Sequence, residues 1–341
     1  MEGGIRAVGR PHHGAMRRRI DIAEAGRMLL TREHLRNNGV TERQLRDALR
    51  AQSLRRVHRG SYVRTKDWTS LWWEGQHLLK VLAVKAASPG RGPLFTHASA
   101  AVLWGLPMYR MGDQPVQIVV DGTRHSRVIA GVVRRDMRLD DGDITEIGGF
   151  RVTSLIRTTF DVARTAAFDT AVSCTDAALR QRAVSGQVVD AEADALWRAE
   201  ALRLARPGLR GVRQAREVLD FADGRSQLPG ESVSRVRLHQ LGFSNYELQV
   251  PVTGAQGDRY WVDFAFLRAR RFGEFDGKGK YLDPDLRTAA SSDEAVLAEK
   301  RREDDIRGVT GWGFARWGYE HIRTPDAFGM RLAAFGIRPP G

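Results

Sequence analysis

Trp261-Val262-Asp263-Phe264-Ala265-Phe266 and Gly273-Glu274-Phe275-Asp276-Gly277 are two apolar stretches that contain carboxylates, and they decide the fold of the C-terminal third of the chain. Each has the length and composition of a buried strand. Glu274 and Asp276 are two residues apart, so their side chains share one face of the second strand. Because an acid inside an apolar strand costs desolvation energy unless it is paired or metal-bound, these strands indicate a functional site.

The segments around these strands predict an α/β domain over residues 226–335. Their order is helix, three strands, helix, strand and helix, with predicted bounds of Glu231–Leu241, Tyr246–Val252, Tyr260–Phe266, Arg271–Phe275, Asp293–Arg307, Trp312–Trp317 and Pro325–Phe335. The polar stretch from Asp223 to Gly230, with its Gly and Pro residues, marks the domain boundary. Glu231 opens the first helix and adds a further acid to the candidate site.

Carboxylate oxygens in this setting suit Mg²⁺, which keeps several waters and takes one or two acidic side chains from the protein. Such a metal can activate water and stabilise the leaving oxygen in phosphodiester hydrolysis. The alternative is that the acids are solvated at the edge of the sheet and carry no chemistry. The sequence alone leaves both interpretations open.

A family resemblance supports the first interpretation. The C-terminal domain looks like the PD-(D/E)XK nuclease fold, in particular the branch related to very-short-patch-repair (Vsr) endonucleases, in the stretches Pro229-Gly230-Glu231-Ser232, Val262-Asp263-Phe264, Gly273-Glu274-Phe275-Asp276-Gly277 and Glu299-Lys300-Arg301-Arg302-Glu303-Asp304-Asp305. The resemblance implies a restriction-endonuclease-like domain that cleaves DNA. It implies that Asp263 and Glu274 hold Mg²⁺, with Glu231 as a supporting acid.

Two positions depart from the pattern of that family. Val262 replaces a proline, and Asp276 occupies the position of the expected lysine. Lys278 or Lys280 would then supply the positive charge, and we expect Lys278 to orient the water or stabilise the pentavalent phosphorus. The predicted catalytic set is therefore Glu231, Asp263, Glu274, Asp276 and Lys278. The alternative is a nuclease fold that has lost its chemistry or only grips DNA.

The basic charge of the chain is concentrated at its N-terminal end. The 341 residues carry a formal net charge of +13, and residues 1–66 hold 16 lysines and arginines against 6 acids. A local basic excess of this size is typical of a surface that binds a polyanion, most often nucleic acid. Residues 1–19 are expected to form a basic, disordered tail.

Residues 20–66 predict a winged helix-turn-helix. Two short helices, Asp21–Leu30 and Thr31–Asn37, precede a third that opens at Thr41, where Thr41 and Gln44 can form a capping box. Leu54–Val63 then predicts a hairpin that turns at Arg59-Gly60. In such a module the third helix enters the major groove and the hairpin contacts the backbone. The alternative is a generic three-helix unit with a solvated basic face.

The candidate DNA contacts lie on the third helix and on the hairpin. Arg43, Gln44 and Arg46 suit guanine or adenine edges, and Arg50 lies on the same basic face of the helix. Arginines on the hairpin suit phosphates, which position a protein on the duplex without specifying sequence. The hairpin residues are Arg55, Arg56 and Arg59.

A second resemblance concerns this module and the region after it. Leu30–Thr41 followed by Leu54–Tyr62 looks like the N-terminal domain of AbiEi-type antitoxins of type IV toxin–antitoxin systems, and the likeness continues in Thr96–Leu106 and Val152–Ala163. It implies operator binding, autorepression and a cognate toxin partner. Residues 67–225 are therefore expected to form a mixed α/β, AbiEi-like middle domain, with Arg203–Arg216 as an arginine-rich linker or helix.

Composition excludes several other classes of protein. The single cysteine, Cys174, excludes an intramolecular disulfide framework and a cysteine-based zinc cluster. No run approaches 18 apolar residues, so no membrane span is expected, and the protein is predicted to be cytoplasmic. Together these patterns predict a multidomain α+β and α/β protein that binds double-stranded DNA. Its predicted function is that of an antitoxin-like regulator fused to an Mg²⁺-dependent endonuclease domain. The alternative is a non-catalytic regulator or antitoxin.

Overall fold

The computed structural model describes residues 17–120, 127–277 and 292–339. Its N-terminal unit contains three helices and a three-stranded antiparallel sheet whose strand order is β1-β3-β2. In chain order the elements are α1 (Ile22–Met28), β1 (Leu30–Thr31), α2 (Arg32–Asn37), α3 (Glu42–Arg50), β2 (Leu54–His58) and β3 (Ser61–Arg64).

Local sequence signals explain how α3 and the hairpin form. The Thr41 hydroxyl accepts a hydrogen bond from the Gln44 backbone N–H at 3.3 Å, and the Gln44 side-chain oxygen accepts one from the Thr41 N–H at 2.8 Å. The predicted capping box is thus confirmed. Gly60 has a φ of +73° between β2 and β3, a conformation that glycine adopts without strain. A small core of Leu35, Leu45 and Tyr62 holds the unit together.

The middle region is built on a six-stranded sheet whose strand order is β6-β7-β5-β4-β9-β8. Its helices and strands are α4 (Thr65–Thr69), α5 (Trp73–Ala86), β4 (Leu94–Phe95), α6 (His97–Leu103), β5 (Val116–Val120), β6 (Arg127–Ile129), β7 (Val132–Asp136), β8 (Ile144–Ile147), β9 (Phe150–Thr153), α7 (Leu155–Thr165), α8 (Phe168–Ala183), β10 (Val184–Ser185), β11 (Val188–Val189), α9 (Ala191–Arg203) and α10 (Val212–Phe221). Strands β6 and β7 form an antiparallel hairpin that turns at Ala130 and Gly131, both of which have positive φ.

The arginine-rich segment belongs to the folded core of this region. Helix α9 ends at Arg203 and α10 begins at Val212, and α10 buries Ala215, Val218 and Leu219 in the main hydrophobic core. The arginines of α10 therefore project from a packed helix. Cys174 is fully buried on α8, as expected for a small core residue.

The C-terminal region has the predicted order of elements. It consists of α11 (Pro229–Gln240), β12 (Glu247–Thr253), β13 (Arg259–Phe266), β14 (Arg271–Phe275), α12 (Ser292–Thr310), β15 (Gly313–Trp317) and α13 (Pro325–Ala333). The four strands form a sheet in the order β12-β13-β14-β15, with antiparallel pairing up to β14 and parallel pairing between β14 and β15. Phe264, Phe275, Trp317 and Phe328 are among the core residues on one face of this sheet.

Helix α11 packs on α8 of the middle region. Arg235 donates from Nη1 to Asp176 Oδ2 at 2.8 Å, and both side chains are almost fully buried. Arg237 forms a bidentate pair with Asp169. The stretch that the sequence marks as a boundary therefore leads into a helix that two regions share. Burial of α11 requires partners for both of its arginines, and α8 of the middle region supplies them.

The first described residues also differ from the expectation of a disordered tail up to residue 19. The Arg18 backbone N–H donates to the Ser70 carbonyl at 2.8 Å, and the Trp72 N–H donates to the Arg18 carbonyl at 3.1 Å. Two backbone hydrogen bonds thus fix Arg17–Arg19 beside the start of α5. Within the described parts of the chain, no helix is long and apolar enough to cross a membrane.

Candidate nucleic-acid interface and carboxylate site

Helix α3 presents a basic outer face. Leu45 is its buried residue, and Arg43, Arg46 and Arg50 are exposed. An acid, Asp47, shares this face and lies 3.9 Å from the Nε atom of Arg43. In the described structure, no acid of α3 pairs with Arg46 or Arg50, and Arg43 is paired only loosely.

Gln44 has a different environment from the other predicted contacts on this helix. It is exposed, but its side-chain oxygen accepts hydrogen bonds from the Thr41 backbone N–H at 2.8 Å and from the Thr41 hydroxyl at 2.9 Å. Its amide oxygen is thus used in the capping box, while its amide nitrogen has no hydrogen bond described in the structure. Gln44 can donate to a base edge only from that nitrogen.

The arginines of the β2–β3 hairpin divide into two kinds. The Arg55 guanidinium lies 4.7 Å from the centre of the Trp68 ring, a cation–π contact that holds it against α4. Arg56 and Arg59 are exposed. Among the described residues, the hydrogen bond of Arg56 is a long one, from Nε to the His58 carbonyl at 3.4 Å. Arg56 and Arg59 are therefore the hairpin residues best placed to meet a phosphate.

A cleft brings α3 and the hairpin together. It has a volume of about 530 Å³ and is lined by Arg46 from α3 and by Arg56 and Arg59 from the hairpin. Arg32 and Glu42 also line it, and they pair with each other at 2.8 Å. Three predicted DNA contacts from two elements thus share one basic concavity.

The acidic site lies where β13 and β14 separate. Their pairing extends only from Phe264 opposite Gly273 to Phe266 opposite Arg271. Just before this ladder, Asp263 Oδ2 accepts a hydrogen bond from the Phe275 backbone N–H at 3.0 Å. Asp263 is therefore held at the end of the two strands by the backbone of β14.

Gln249 links Asp263 to Glu231. Its amide nitrogen lies 3.4 Å from Glu231 Oε2 and 3.5 Å from Asp263 Oδ1. Gln249 is buried and has a φ of +48°, and the β12–β13 ladder skips the 249/263 position. A strained conformation of this kind costs free energy and persists only where the surroundings enforce it.

Two further hydrogen bonds complete this group of side chains. Gln227 donates from its backbone N–H to Glu231 Oε2 at 2.8 Å and from its side-chain amide to Gln249 Oε1 at 3.1 Å. The structure thus brings together Glu231 and Asp263, which the sequence predicted, and adds Gln249 and Gln227, which it did not.

Glu274 lies close to this group, but two arginines pair with it. Arg302 of α12 donates to Oε1, and Arg316 of β15 lies 3.0 Å from Oε2. Burial raises the pKa of Glu274, the two guanidinium groups lower it, and the negative charge of Asp263 raises it further. Glu274 and Asp263 therefore repel each other electrostatically, while both carboxylate oxygens of Glu274 are paired with Arg302 and Arg316.

The remaining predicted residues add no ligand. Asp276 is exposed just after β14, and Lys278 lies outside the described residues. Within the described parts of the chain, no three side chains of His, Cys, Asp or Glu come together as a metal site. As arranged here, Asp263 and Glu274 do not fit the predicted Mg²⁺ ion, because a cation between them would have to displace a guanidinium.

No pattern in the sequence identified Gln249, Arg302 or Arg316 as partners of the predicted acids. Gln249 is one polar residue in an otherwise ordinary strand, and its role depends on its positive φ and on contacts with residues 18 and 14 positions away. Arg302 is one of several charges on a helix, and only the packing of α12 shows which of them turns toward the sheet. These are tertiary effects that periodicity does not encode.

Comparison with known proteins gives a partial match. A search against family models finds none that matches this chain. The chain is 32% identical over 134 residues to two uncharacterized proteins of Mycobacterium tuberculosis, MT2308 of strain CDC 1551/Oshkosh and Rv2248 of strain H37Rv. The match covers 39% of this chain and 45% of each relative, so the chain spans less than half the length of these curated relatives. Neither relative's name states an activity.

Proposed function

We propose that this protein binds double-stranded DNA through α3 and the β2–β3 hairpin. The observation that carries the proposal is the cleft in which Arg46, Arg56 and Arg59 converge from two elements. The order helix, strand, helix, helix, strand, strand and the sheet order β1-β3-β2 also match the expectation of a winged helix. The resemblance to AbiEi-type antitoxins makes a regulator that binds its own promoter the most specific form of this proposal.

In this account the residues have separate roles. Arg43 and Arg50 lie on the outward face of α3 and meet base edges or the sides of the groove. Arg56 and Arg59 contact phosphates, with Arg46 between the two sets. Arg55 contributes less than Arg56, because part of its charge is already stabilised by the Trp68 ring.

A gel-shift experiment with the DNA upstream of the coding sequence tests the proposal. We expect the full chain to shift this DNA and the R46A/R56A/R59A variant to lose the shift. R55A serves as a control on the same hairpin and retains most of the binding. R43A should weaken binding to the upstream DNA more than to random duplex. Equal shifts by the wild type and the triple variant would refute the proposed interface.

A second function, phosphodiester hydrolysis by the C-terminal domain, is favoured by one observation. Gln249 adopts a strained conformation and holds Glu231 and Asp263 within reach of one amide group, as expected of a site kept for chemistry. The pairing of Glu274 with two arginines favours the rival proposal, a nuclease fold that contributes to DNA binding without cutting.

A plasmid-nicking assay with Mg²⁺ separates these two possibilities. Nicking by the wild type that D263N abolishes would establish hydrolysis at this site. Absence of nicking by both, with DNA binding intact, would establish the non-catalytic role. A cognate toxin partner is proposed from the antitoxin resemblance alone, and co-purification of the full chain with the product of a neighbouring gene tests it.

A further inference from the structure

A short arginine segment precedes the N-terminal unit and is fixed on the surface. The backbone hydrogen bonds of Arg18 to Ser70 and Trp72 hold it in place. The Arg17 guanidinium lies 5.9 Å and 5.6 Å from the ring centres of Trp72 and Trp73. Arg18 is paired with Glu24, whereas Arg17 and Arg19 are exposed without an acid paired to them in the described structure. Two positive charges are therefore presented in a defined place.

A series of contacts leads from another exposed arginine to the acidic site. The Arg110 guanidinium lies 5.3 Å from the centre of the Tyr109 ring, and Tyr109 stacks on Tyr319 at 6.1 Å. Tyr319 packs edge-on against Phe275 at 4.9 Å, and the Phe275 N–H binds Asp263. Arg110 of the middle region is thus connected to Asp263 through three aromatic side chains.

The segment that carries Arg19 reaches the same junction, because Arg17 contacts Trp73 and the neighbouring Glu74 accepts a hydrogen bond from the Met108 N–H, next to Tyr109. Burial raises the pKa of Tyr319 to about 12, and Tyr109, Glu74 and Glu231 reinforce this effect while Arg19 opposes it. Arg19 and Glu231 therefore both act on this one phenol. Arg323 acts in the same way on Tyr109, and it is exposed on the loop that follows Tyr319.

Acids also lie near this junction and oppose part of its positive charge. Glu74 accepts a hydrogen bond from the Met108 backbone N–H at 3.0 Å, and Glu320 lies 3.5 Å from His321 Nδ1. Tyr319 itself is 37% exposed, so an aromatic surface is open among the arginines. The Tyr109 hydroxyl is buried and has no hydrogen-bond partner in the described structure, which leaves one donor unsatisfied beside Tyr319.

We propose that Arg19, Arg110 and Arg323, near Tyr319, together with Arg17 on the same fixed segment as Arg19, form a second contact surface for the DNA backbone, between the N-terminal unit and the carboxylate site. We call these five residues the junction surface. Arginines on a fixed scaffold suit phosphates, and the segment that carries Arg17 and Arg19 runs directly into α1. This inference rests on the proposed DNA binding and extends it from the α3 cleft toward Asp263.

The salt dependence of DNA binding tests this inference. Each phosphate contact contributes about 0.9 to the slope of log affinity against log salt. Removing Arg19, Arg110 and Arg323 should therefore lower the slope of the full chain by about 2, measured by fluorescence anisotropy with a labelled duplex. Arg110 contributes less than the other two, because its guanidinium lies on the Tyr109 ring as that of Arg55 lies on Trp68. The R19K/R110K/R323K variant keeps the charges and should restore most of the slope. A control variant, R203A/R213A/R216A, removes three exposed arginines of α9 and α10 and should leave the slope unchanged.

The outcomes of this experiment are distinct. A wild-type slope that R46A/R56A/R59A reduces but R19A/R110A/R323A does not would overturn the junction surface and leave the α3 cleft in place. An equal reduction by the control variant would also overturn it, because the effect would then be one of net charge. No binding by the wild type would overturn both proposals. Matching circular dichroism spectra establish that the variants are folded.

Discussion

Replacing Asp176 with alanine should destabilise the protein more than the loss of an exposed ion pair would. Asp176 is fully buried and accepts hydrogen bonds from Arg235 Nη1 and from the Asp223 backbone N–H, both at 2.8 Å. Its removal leaves the buried Arg235 guanidinium with the Phe221 carbonyl, the Phe221 ring at 4.7 Å and the Tyr246 hydroxyl as contacts, and with Asp223 as a remaining negative charge that acts on it. Breaking a buried pair from one side costs about 3–5 kcal/mol, a large part of a typical free energy of unfolding.

Urea denaturation followed by tryptophan fluorescence measures this loss. The control is E217A, which breaks the Arg213–Glu217 pair on α10, where the Arg213 side chain is 95% exposed; such a pair contributes less than about 1 kcal/mol. The D176L/R235M variant replaces both charges with apolar groups and should recover much of the stability. A loss for D176A as small as that for E217A would refute the claim that this pair joins α8 to α11.

Three further predictions concern other parts of the chain. Burial lowers the pKa of His77 to about 4 and of His97 to about 3. Since the unfolded chain takes up these protons near pH 6.5, the two neutral histidines should contribute their full stability above that pH, and the free energy of unfolding should fall as the pH drops. A urea midpoint that does not fall between about pH 7.5 and 5.5 would contradict this. G230A places a Cβ 2.0 Å from the Phe275 ring and should cost about 1–3 kcal/mol in urea denaturation, so an unchanged midpoint would argue against the α11–β14 packing. T41A removes the cap of α3 and should cost about 1 kcal/mol of local stability, which hydrogen exchange of the α3 amides will show as lower protection.

The parts of the fold that depend on neighbouring residues could be predicted from the sequence. The start of α3 follows from the Thr41–Gln44 capping box, and the β2–β3 turn follows from Gly60, because both depend on side chains and φ values within a few positions. The order of elements in the C-terminal region could also be predicted. Runs such as residues 259–266 are long and apolar enough to identify as strands.

The parts that depend on distant contacts could not be predicted. The sequence located Glu231, Asp263 and Glu274, but the partners that determine their chemistry come from elsewhere in the fold. Gln249 reaches the first two acids from a position with positive φ, and Arg302 and Arg316 reach Glu274 because α12 and β15 pack beside β14. The role assigned to Lys278, which falls outside the described residues, stays a prediction.

The same limit applies to the arrangement of the regions. A polar stretch after residue 222 predicts a domain boundary, and the elements of the C-terminal region do begin after it, with α11. Only the structure shows that α11 then returns to α8, since the Asp176–Arg235 and Asp169–Arg237 pairs join residues more than 50 positions apart. Charge counts placed the basic excess at the N-terminal end, but they could not show that Arg17–Arg19 lie against the start of α5.

The most direct test of the central claim, DNA binding by α3 and its hairpin, is the salt slope of R56A beside that of R55A. Both variants remove one arginine from the same hairpin, so they change the net charge equally. We expect R56A to lower the slope of log affinity against log salt by about 0.9 relative to the wild type. R55A should lower it by much less, because Trp68 holds that guanidinium. Equal slopes for the wild type and both variants, or no binding of duplex DNA by the wild type, would show that α3 and its hairpin are not the DNA interface.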